Sequence, residues 1–326
     1  MPTIGATVAT SAPAPWWNHV TRTDFGAKLE PIGDHVLIGA GQYGIENYRY
    51  FNADVGTPAA IYMAYVDLAT DVPGVMAKLK SDLESESSDL IIPHIGLAMN
   101  RWQAKYHYED KVAAGAYDAQ IRQFTDGLVA LNRPAYVRIG FEFNASWNGY
   151  ESSAYVKAYK RIADAIRNRK LNNVALVWNY SPADPKDYWP WYPGDEYVDW
   201  WGINLFYVAD FTSNTSQWFM RDSMQHRKPV MIGEASPSPI NIAGAGIVPW
   251  YSWYAPFFGF ISHYPNIKQF NYININWGSY PEWPTWGDAR IGTNPQIASS
   301  VGIQLADPFF LHRESAGSLL SKLHRY

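Results

Sequence analysis

Short runs of apolar, β-favouring residues recur along the chain, and between them lie stretches whose apolar positions repeat at helical spacing. The first run covers residues 35–42 and precedes a helical segment at 45–51. The run at 60–66 precedes a helix over about 72–83, in which Pro73 suits the first turn. Residues 90–96 form the third run, with a helix over 117–131, and residues 136–144 the fourth, with a helix over 153–169. A fifth run at 174–179 leads into an aromatic loop, and a sixth at 198–206 precedes a helix over 216–226. The seventh ends near Glu234, and a helix over 250–263 leads to the eighth at 267–277. Eight strands alternating with helices predict an α/β fold of one domain, a single (β/α)8 TIM barrel, in preference to an open doubly wound sheet. The glycines at 39–44 do not make a dinucleotide fingerprint, because no ribose-binding acid follows at the right place. Residues 300–326 are expected to close the barrel.

Two of these runs break the apolar rule in the same way. On a strand, side chains alternate between faces, which sets Arg138, Gly140, Glu142 and Asn144 on one side and Val137, Ile139, Phe141 and Phe143 on the other. An ionised Glu and Arg in a core cost several kcal/mol unless they are paired or partly wet. One reading is a structural Arg138–Glu142 ion pair. The seventh run shifts the balance, because residues 228–236 again form a short apolar strand carrying a lone carboxylate, Glu234, among small residues. In a barrel of this kind the C-terminal ends of the strands form the active site, so His94, Glu142, Asn179, Asn204, Glu234 and Trp277 should converge on one mouth. The two-carboxylate chemistry that fits is glycoside hydrolysis. A separation of about 5 Å between the two groups would mean retention, and a wider gap inversion.

Composition supports that direction. The chain has 326 residues, enough for one large barrel, and 16% are aromatic, with 15 Trp and 23 Tyr. Flat amphipathic rings suit stacking on sugar faces, although many must simply pack the core. Net charge is −4 without a basic run, so neither nucleic acid nor a membrane surface is expected as a partner. The absence of cysteine excludes disulfides, thiolate metal sites and a Cys nucleophile. The histidines show neither His-x-His at a strand end nor a Glu/His helix pair, so no metal or other cofactor is expected. Residues 1–20 read as a flexible leader, and residues 21–326 as the catalytic barrel. A secreted or extracytoplasmic location is expected, with a cytoplasmic one left open, and the chain is expected to act as a monomer on a polysaccharide or oligosaccharide. Sequons occur at Asn144, Asn179 and Asn214, of which only Asn214 is expected to be accessible.

The arrangement resembles the clan A retaining glycoside hydrolases, and in detail glycoside hydrolase family 26, best known for endo-β-1,4-mannanases. That family has an Arg four residues before its acid/base Glu, an Asn two after and a Trp five after; here these are Arg138, Asn144 and Trp147 around Glu142. Gly233-Glu234-Ala235 is similar to its nucleophile context, Trp277 to its eighth-strand Trp and His94 to its third-strand His, and Tyr192-Pro-Gly-Asp-Glu-Tyr-Val-Asp199 is also similar. The resemblance implies Glu142 as general acid/base and Glu234 as nucleophile, with Arg138 or Tyr207 as the candidate aid to Glu234. It implies Trp147 and Trp277 as sugar platforms and His94, Asn144 and Asn204 as hydroxyl partners. Packing is the alternative for the two Trp and for His94. Asp195, Asp288 and Arg290 could shape outer subsites or fix loops, and residues 189–192 could wall the cleft or cap the helices. Two departures bear on the sugar: Phe141 stands where the family usually has His, and Asn204-Leu-Phe206, with Tyr207 beside it, where it has Asp-x-Tyr. An endo-β-1,4-mannanase-like hydrolase is therefore expected, with β-1,3-xylan, β-glucan or another glycan as alternative substrates and a non-catalytic glycan-binding barrel as the rival from another class.

Overall fold

The computed structural model describes residues 19–325 apart from residue 43; residues 1–18 of the expected leader lie outside the described residues. The elements run β1 (Val36–Gly41), α1 (Ile45–Val55), β2 (Ile61–Asp67), α2 (Val72–Glu86), β3 (Ile92–Ala98), α3 (Glu109–Ala113), α4 (Asp118–Leu131), β4 (Ala135–Ile139) and α5 (Ser152–Asn168). They continue with β5 (Val174–Tyr180), β6 (Trp200–Leu205), α6 (Asn214–Gln225), β7 (Val230–Ala235), α7 (Ala255–His263), β8 (Ile267–Ile273), α8 (Pro295–Leu305), β9 (Phe310–Leu311) and α9 (Ala316–Ser321). Strands β1 to β8 pair in parallel in sequence order, and β8 returns to β1, which closes the (β/α)8 barrel.

Local chemistry explains the helices. In α2 the Asp71 side chain accepts from Gly74 N at 3.2 Å, and Pro73 sits in the first turn, where its missing N–H costs nothing. In α5, Glu151 caps the N-terminus, and Tyr155, Ala158, Tyr159, Ile162 and Ile166 form the buried stripe that packs on the barrel. The strands are buried on both faces, as a parallel sheet covered by helices requires. Among the described residues, no helix is long and apolar enough to cross a membrane.

The tail, expected to close the barrel, does not do so. Closure is made by β8 on β1, and β9 only adds a two-residue rung beside the start of β1. Below it, Leu319 of α9 and Leu323 pack with Leu29 against Leu37, Ile61, Tyr136 and Trp200, plugging the N-terminal end of the barrel. The plug is fastened by a bridge between Pro31 and Leu323 and by the Asp24–His324 pair at 2.6 Å.

Candidate active site

The fourth strand stops at Ile139, earlier than the sequence pattern suggests, because Gly140 (φ 56°) and Glu142 (φ 51°) both take the left-handed conformation. For Glu142 that backbone costs of order 1–3 kcal/mol, and a surrounding network holds it. Asn148 Nδ2 donates to the carbonyls of Phe141 (2.9 Å) and Glu142 (3.1 Å), and Ala145 N donates to Glu142 O at 2.9 Å. Alternation is lost at this turn. Phe143 faces the helices and stacks on Trp178 at 4.4 Å, whereas Phe141, expected on the same face, turns to the mouth, with its ring 4.9 Å from the Arg138 guanidinium.

Glu234 is delivered by another irregularity. Ile203 pairs with Ile232 but Asn204 pairs with Glu234, so Gly233 is an extra residue in β7. Met231 already faces the barrel interior, and simple alternation would send Glu234 out toward the helices; the bulge re-aims it inward. Gly233 has no room for a side chain, since a Cβ there would lie 2.8 Å from Asn204 Oδ1 and 3.1 Å from Arg138 Nη1.

A single hydrogen-bonded chain joins the two carboxylates. Arg138 Nη1 donates to Glu234 Oε1 at 2.8 Å and to Asn179 Oδ1 at 3.0 Å. Asn179 Nδ2 donates to Asn204 Oδ1 (3.1 Å), and Asn204 Nδ2 to Glu142 Oε1 (2.9 Å). The other oxygen of Glu142 accepts from Trp147 Nε1 at 2.6 Å. Arg138 therefore pairs with Glu234 and not with Glu142. The two carboxylates sit in different electrostatic settings. Burial, seconded by the charge of Glu234, pushes the Glu142 carboxyl up to about 7, against the pull of the Trp147 and Asn204 donors. Glu234 instead holds a guanidinium in a buried ion pair.

The remaining expected residues divide. Trp147 is 45% exposed and presents its ring at the mouth. Asn204 spends its amide on Glu142 and Asn179, so it positions the carboxyl. Asn144 turns away from the mouth: its Nδ2 donates to the carbonyls of Ser181 (2.8 Å) and Asp184 (2.7 Å), and its Oδ1 accepts from Ser181 N at 3.0 Å. His94 is not at a strand end, because β3 runs on to Ala98 and leaves it mid-strand and fully buried. Burial, with the Arg138 charge next, pushes its pKa well below the usual histidine range, so it is a neutral ring beneath the site. Trp277 lies beyond β8 in a short turn and is buried, donating from Nε1 to Ser236 Oγ at 2.8 Å under the rings of Trp283 and Trp286. Tyr207 packs on Trp286 and interacts with Ser238.

The tyrosine beside Glu234 is Tyr65, which interacts with both Glu234 and Arg138 and whose pKa burial raises well above normal. It occupies an inward position near the end of β2, and the strand-end rule used for the fourth and seventh strands would have found it. Trp102, 52% exposed, stands edge-on to Tyr65 at 6.1 Å. The outer candidates fix loops: Asp288 pairs with Arg290 at 2.7 Å and Asp195 with His226 at 2.8 Å, while Trp189 and Tyr192 pack on Trp201. The Asn144 and Asn179 sequons are buried and that of Asn214 is exposed.

A closed barrel whose mouth holds two unlike carboxylates, with aromatic rings around them, defines the class of barrel glycosidases. The model of glycosyl hydrolase family 26 matches residues 104–275, just over half of the chain, and the chain belongs to that family; it is an O-glycosyl hydrolase. A β-1,3-xylanase of an Alcaligenes species is 28% identical over 332 residues, covering 91% of this chain and 68% of its own length. A second β-1,3-xylanase, from a Vibrio species, is 27% identical, covering 85% of this chain and 66% of its own. The chain thus spans about two thirds of the length of these curated relatives. Among solved structures, a family 26 β-mannanase from Bacteroides ovatus superposes with a TM-score of 0.64 at 15% identity over 88% of this chain and 92% of that one. A Bacillus subtilis mannanase gives 0.63 at 18% identity over 86% and 87%. These likenesses show the shared barrel fold.

Proposed function

We propose that this chain cleaves β-1,3-linked xylan by a retaining double displacement, with Glu142 as general acid/base and Glu234 as nucleophile. The observation that carries the reading is the split between the two carboxyls: one buried and raised to about 7, the other paired with Arg138, and both joined through Asn179 and Asn204. A carboxyl titrating near neutrality holds the proton that a leaving glycosidic oxygen needs, and a carboxylate aligned by a guanidinium is placed to attack. In the first step Glu142 protonates the glycosidic oxygen, the bond from C1 to that oxygen breaks, and a Glu234 oxygen bonds to C1. In the second, Glu142 takes a proton from water, the water oxygen bonds to C1, and Glu234 is released. Trp147 has two parts here: its Nε1 aligns Glu142, and its exposed ring offers a stacking face.

Xylan as the substrate is supported by the two β-1,3-xylanases that align along most of the chain. Phe141 at the mouth and Phe206 at the end of β6 agree with a substrate other than mannan, because both stand where the resemblance to mannanases fails. A polymer does not enter cells intact, so a secreted location follows from the proposal, as does action by a single chain that carries every group of the site. The test is release of reducing ends from β-1,3-xylan, β-1,4-mannan and β-glucan, with Glu142→Gln and Glu234→Gln variants shown to be folded. Cleavage of β-1,3-xylan, lowered by orders of magnitude in both variants and giving first products of retained anomeric configuration by NMR, is expected. Persistent cleavage in either variant overturns the site, inverted products overturn the mechanism, and cleavage of mannan alone overturns the substrate.

A further inference from the structure

Beside the mouth a second recess of about 580 Å³ opens between the loop after β5, with Pro182 and Pro185, and the segment after β6, from Tyr207 to Trp218. Trp218 is the feature that requires an account. Helix α6 packs on the barrel through Phe219, Met220 and Ser223, and Trp218 lies off that stripe with half of its surface exposed. It has no role in the core, yet it presents a large flat ring to the recess. Asn214 and Thr215, in the first turn of the same helix, place polar groups next to it.

Both walls are extensions of the segments that hold Glu142. The first is tied to the Glu142 turn by Asn144, which binds the carbonyls of Ser181 and Asp184, and by Ser146 N, which donates to Asp184 Oδ2 at 2.7 Å. The second continues from Asn204 through Phe206 and Tyr207, whose backbone N–H groups donate to Asp210 Oδ2 at 3.0 and 2.9 Å. The recess is thus tied to the same segments that hold the cleavage site. Asp210 is already occupied by that backbone, and no Lys or Arg is among the described lining residues, so an uncharged ligand fits better than an acidic sugar.

We propose that this recess is an outlying sugar-binding subsite, in which Trp218 stacks on a neutral pyranose unit of the same glycan chain that is cut between Glu142 and Glu234. The proposal rests on the reading of the barrel as a hydrolase of polymeric β-glycan. An indole face complements the C–H face of a pyranose, and neighbouring amide and hydroxyl groups take its hydroxyls. A subsite away from the reacting bond contributes only when the chain is long enough to reach it.

The test compares Trp218→Ala and Trp218→Phe with the unaltered protein on polymeric β-1,3-xylan and on a graded series of β-1,3-xylo-oligosaccharides. For Trp218→Ala, KM on the polymer should rise about five- to tenfold with kcat nearly unchanged, kinetics on the shortest cleaved oligosaccharide should not change, and Phe should restore most of the polymer affinity. An equal loss on short and long substrates, or no loss on the polymer, overturns the subsite. If another glycan is cut in place of xylan, the substrate reading fails separately, and the same comparison of polymer with oligomer on that glycan decides the subsite. If none is cut, retardation in native gels containing soluble xylan decides: retardation lost on Trp218→Ala supports the subsite, and its persistence in that variant, or its absence from the unaltered protein, overturns it.

Discussion

Trp147→Phe separates the two parts assigned to that residue, because it keeps a ring at the mouth and deletes only the Nε1 donor to Glu142 Oε2. The donor favours the ionised carboxylate, so its loss raises the Glu142 pKa above the present value of about 7. A hydrogen bond to a charged acceptor is worth about 1.5–3 kcal/mol when buried, and solvent around the half-exposed indole reduces that to about 0.7–1.4 kcal/mol. At about 1.4 kcal/mol per pH unit, the change is about 0.5–1 unit. A general acid must be protonated, so activity falls as pH rises through its pKa, and in the variant that fall comes later. The assay is kcat/KM for polymer cleavage from pH 4.5 to 9.5, whose alkaline limb reports the free enzyme. The limb should move from about 7 to between about 7.5 and 8, with less than about a tenfold loss at pH 5.5, where Glu142 is protonated in both proteins. A limb that stays in place or moves down would refute either the assignment of Glu142 as the acid or the energetic role of the indole N–H.

Three further outcomes follow from the same geometry. The Glu142 carboxyl is pushed in the fold from its ordinary 4.5 up to about 7, so its protonated form is favoured there and stability falls as pH rises through that window, by about 3 kcal/mol. Glu142→Gln should therefore have a higher urea midpoint than the unaltered protein at pH 8, a difference that closes near pH 4.5; a gap independent of pH would count against the raised pKa. Gly233→Ala drives a methyl into Asn204 and Arg138, and should cost about 1–3 kcal/mol in thermal or urea unfolding and at least about tenfold in kcat; an active, stable variant would remove the bulge from the account. Tyr65→Phe deletes a phenol that interacts with Glu234 and Arg138 and should lower kcat/KM by about 10- to 100-fold with the unfolding midpoint little changed; unaltered kinetics would show that Tyr65 only packs.

The sequence made the barrel legible because each strand is a short apolar run and each helix between them carries an apolar stripe. Glu142 and Glu234 were legible because a carboxylate in such a run is costly. What escaped were features of backbone geometry with no side-chain signature. The bulge at Gly233 and the left-handed turn at Gly140 and Glu142 change which face a residue takes, and so Phe141 was assigned to the wrong side. His94 lies mid-strand and not at the mouth because β3 extends beyond the apolar run at 90–96, to Ala98. Asn144 was misread, and the choice between platform and packing for Trp277 was left open, for a different reason: their partners, Asp184 in one case and Trp283 and Trp286 in the other, lie on loops whose course periodicity does not reveal.

The plug beneath the barrel has a practical side. The Asp24–His324 pair and the rung between Pro31 and Leu323 bring the two ends of the described chain together on the face opposite the carboxylates. A support or fused module joined at residue 325 would leave from that underside, and the mouth would stay open toward an insoluble fibre. Coupling through surface lysines gives no such orientation, so a bead loaded through a tag joined there should retain more of its activity on particulate polymer than one loaded at random.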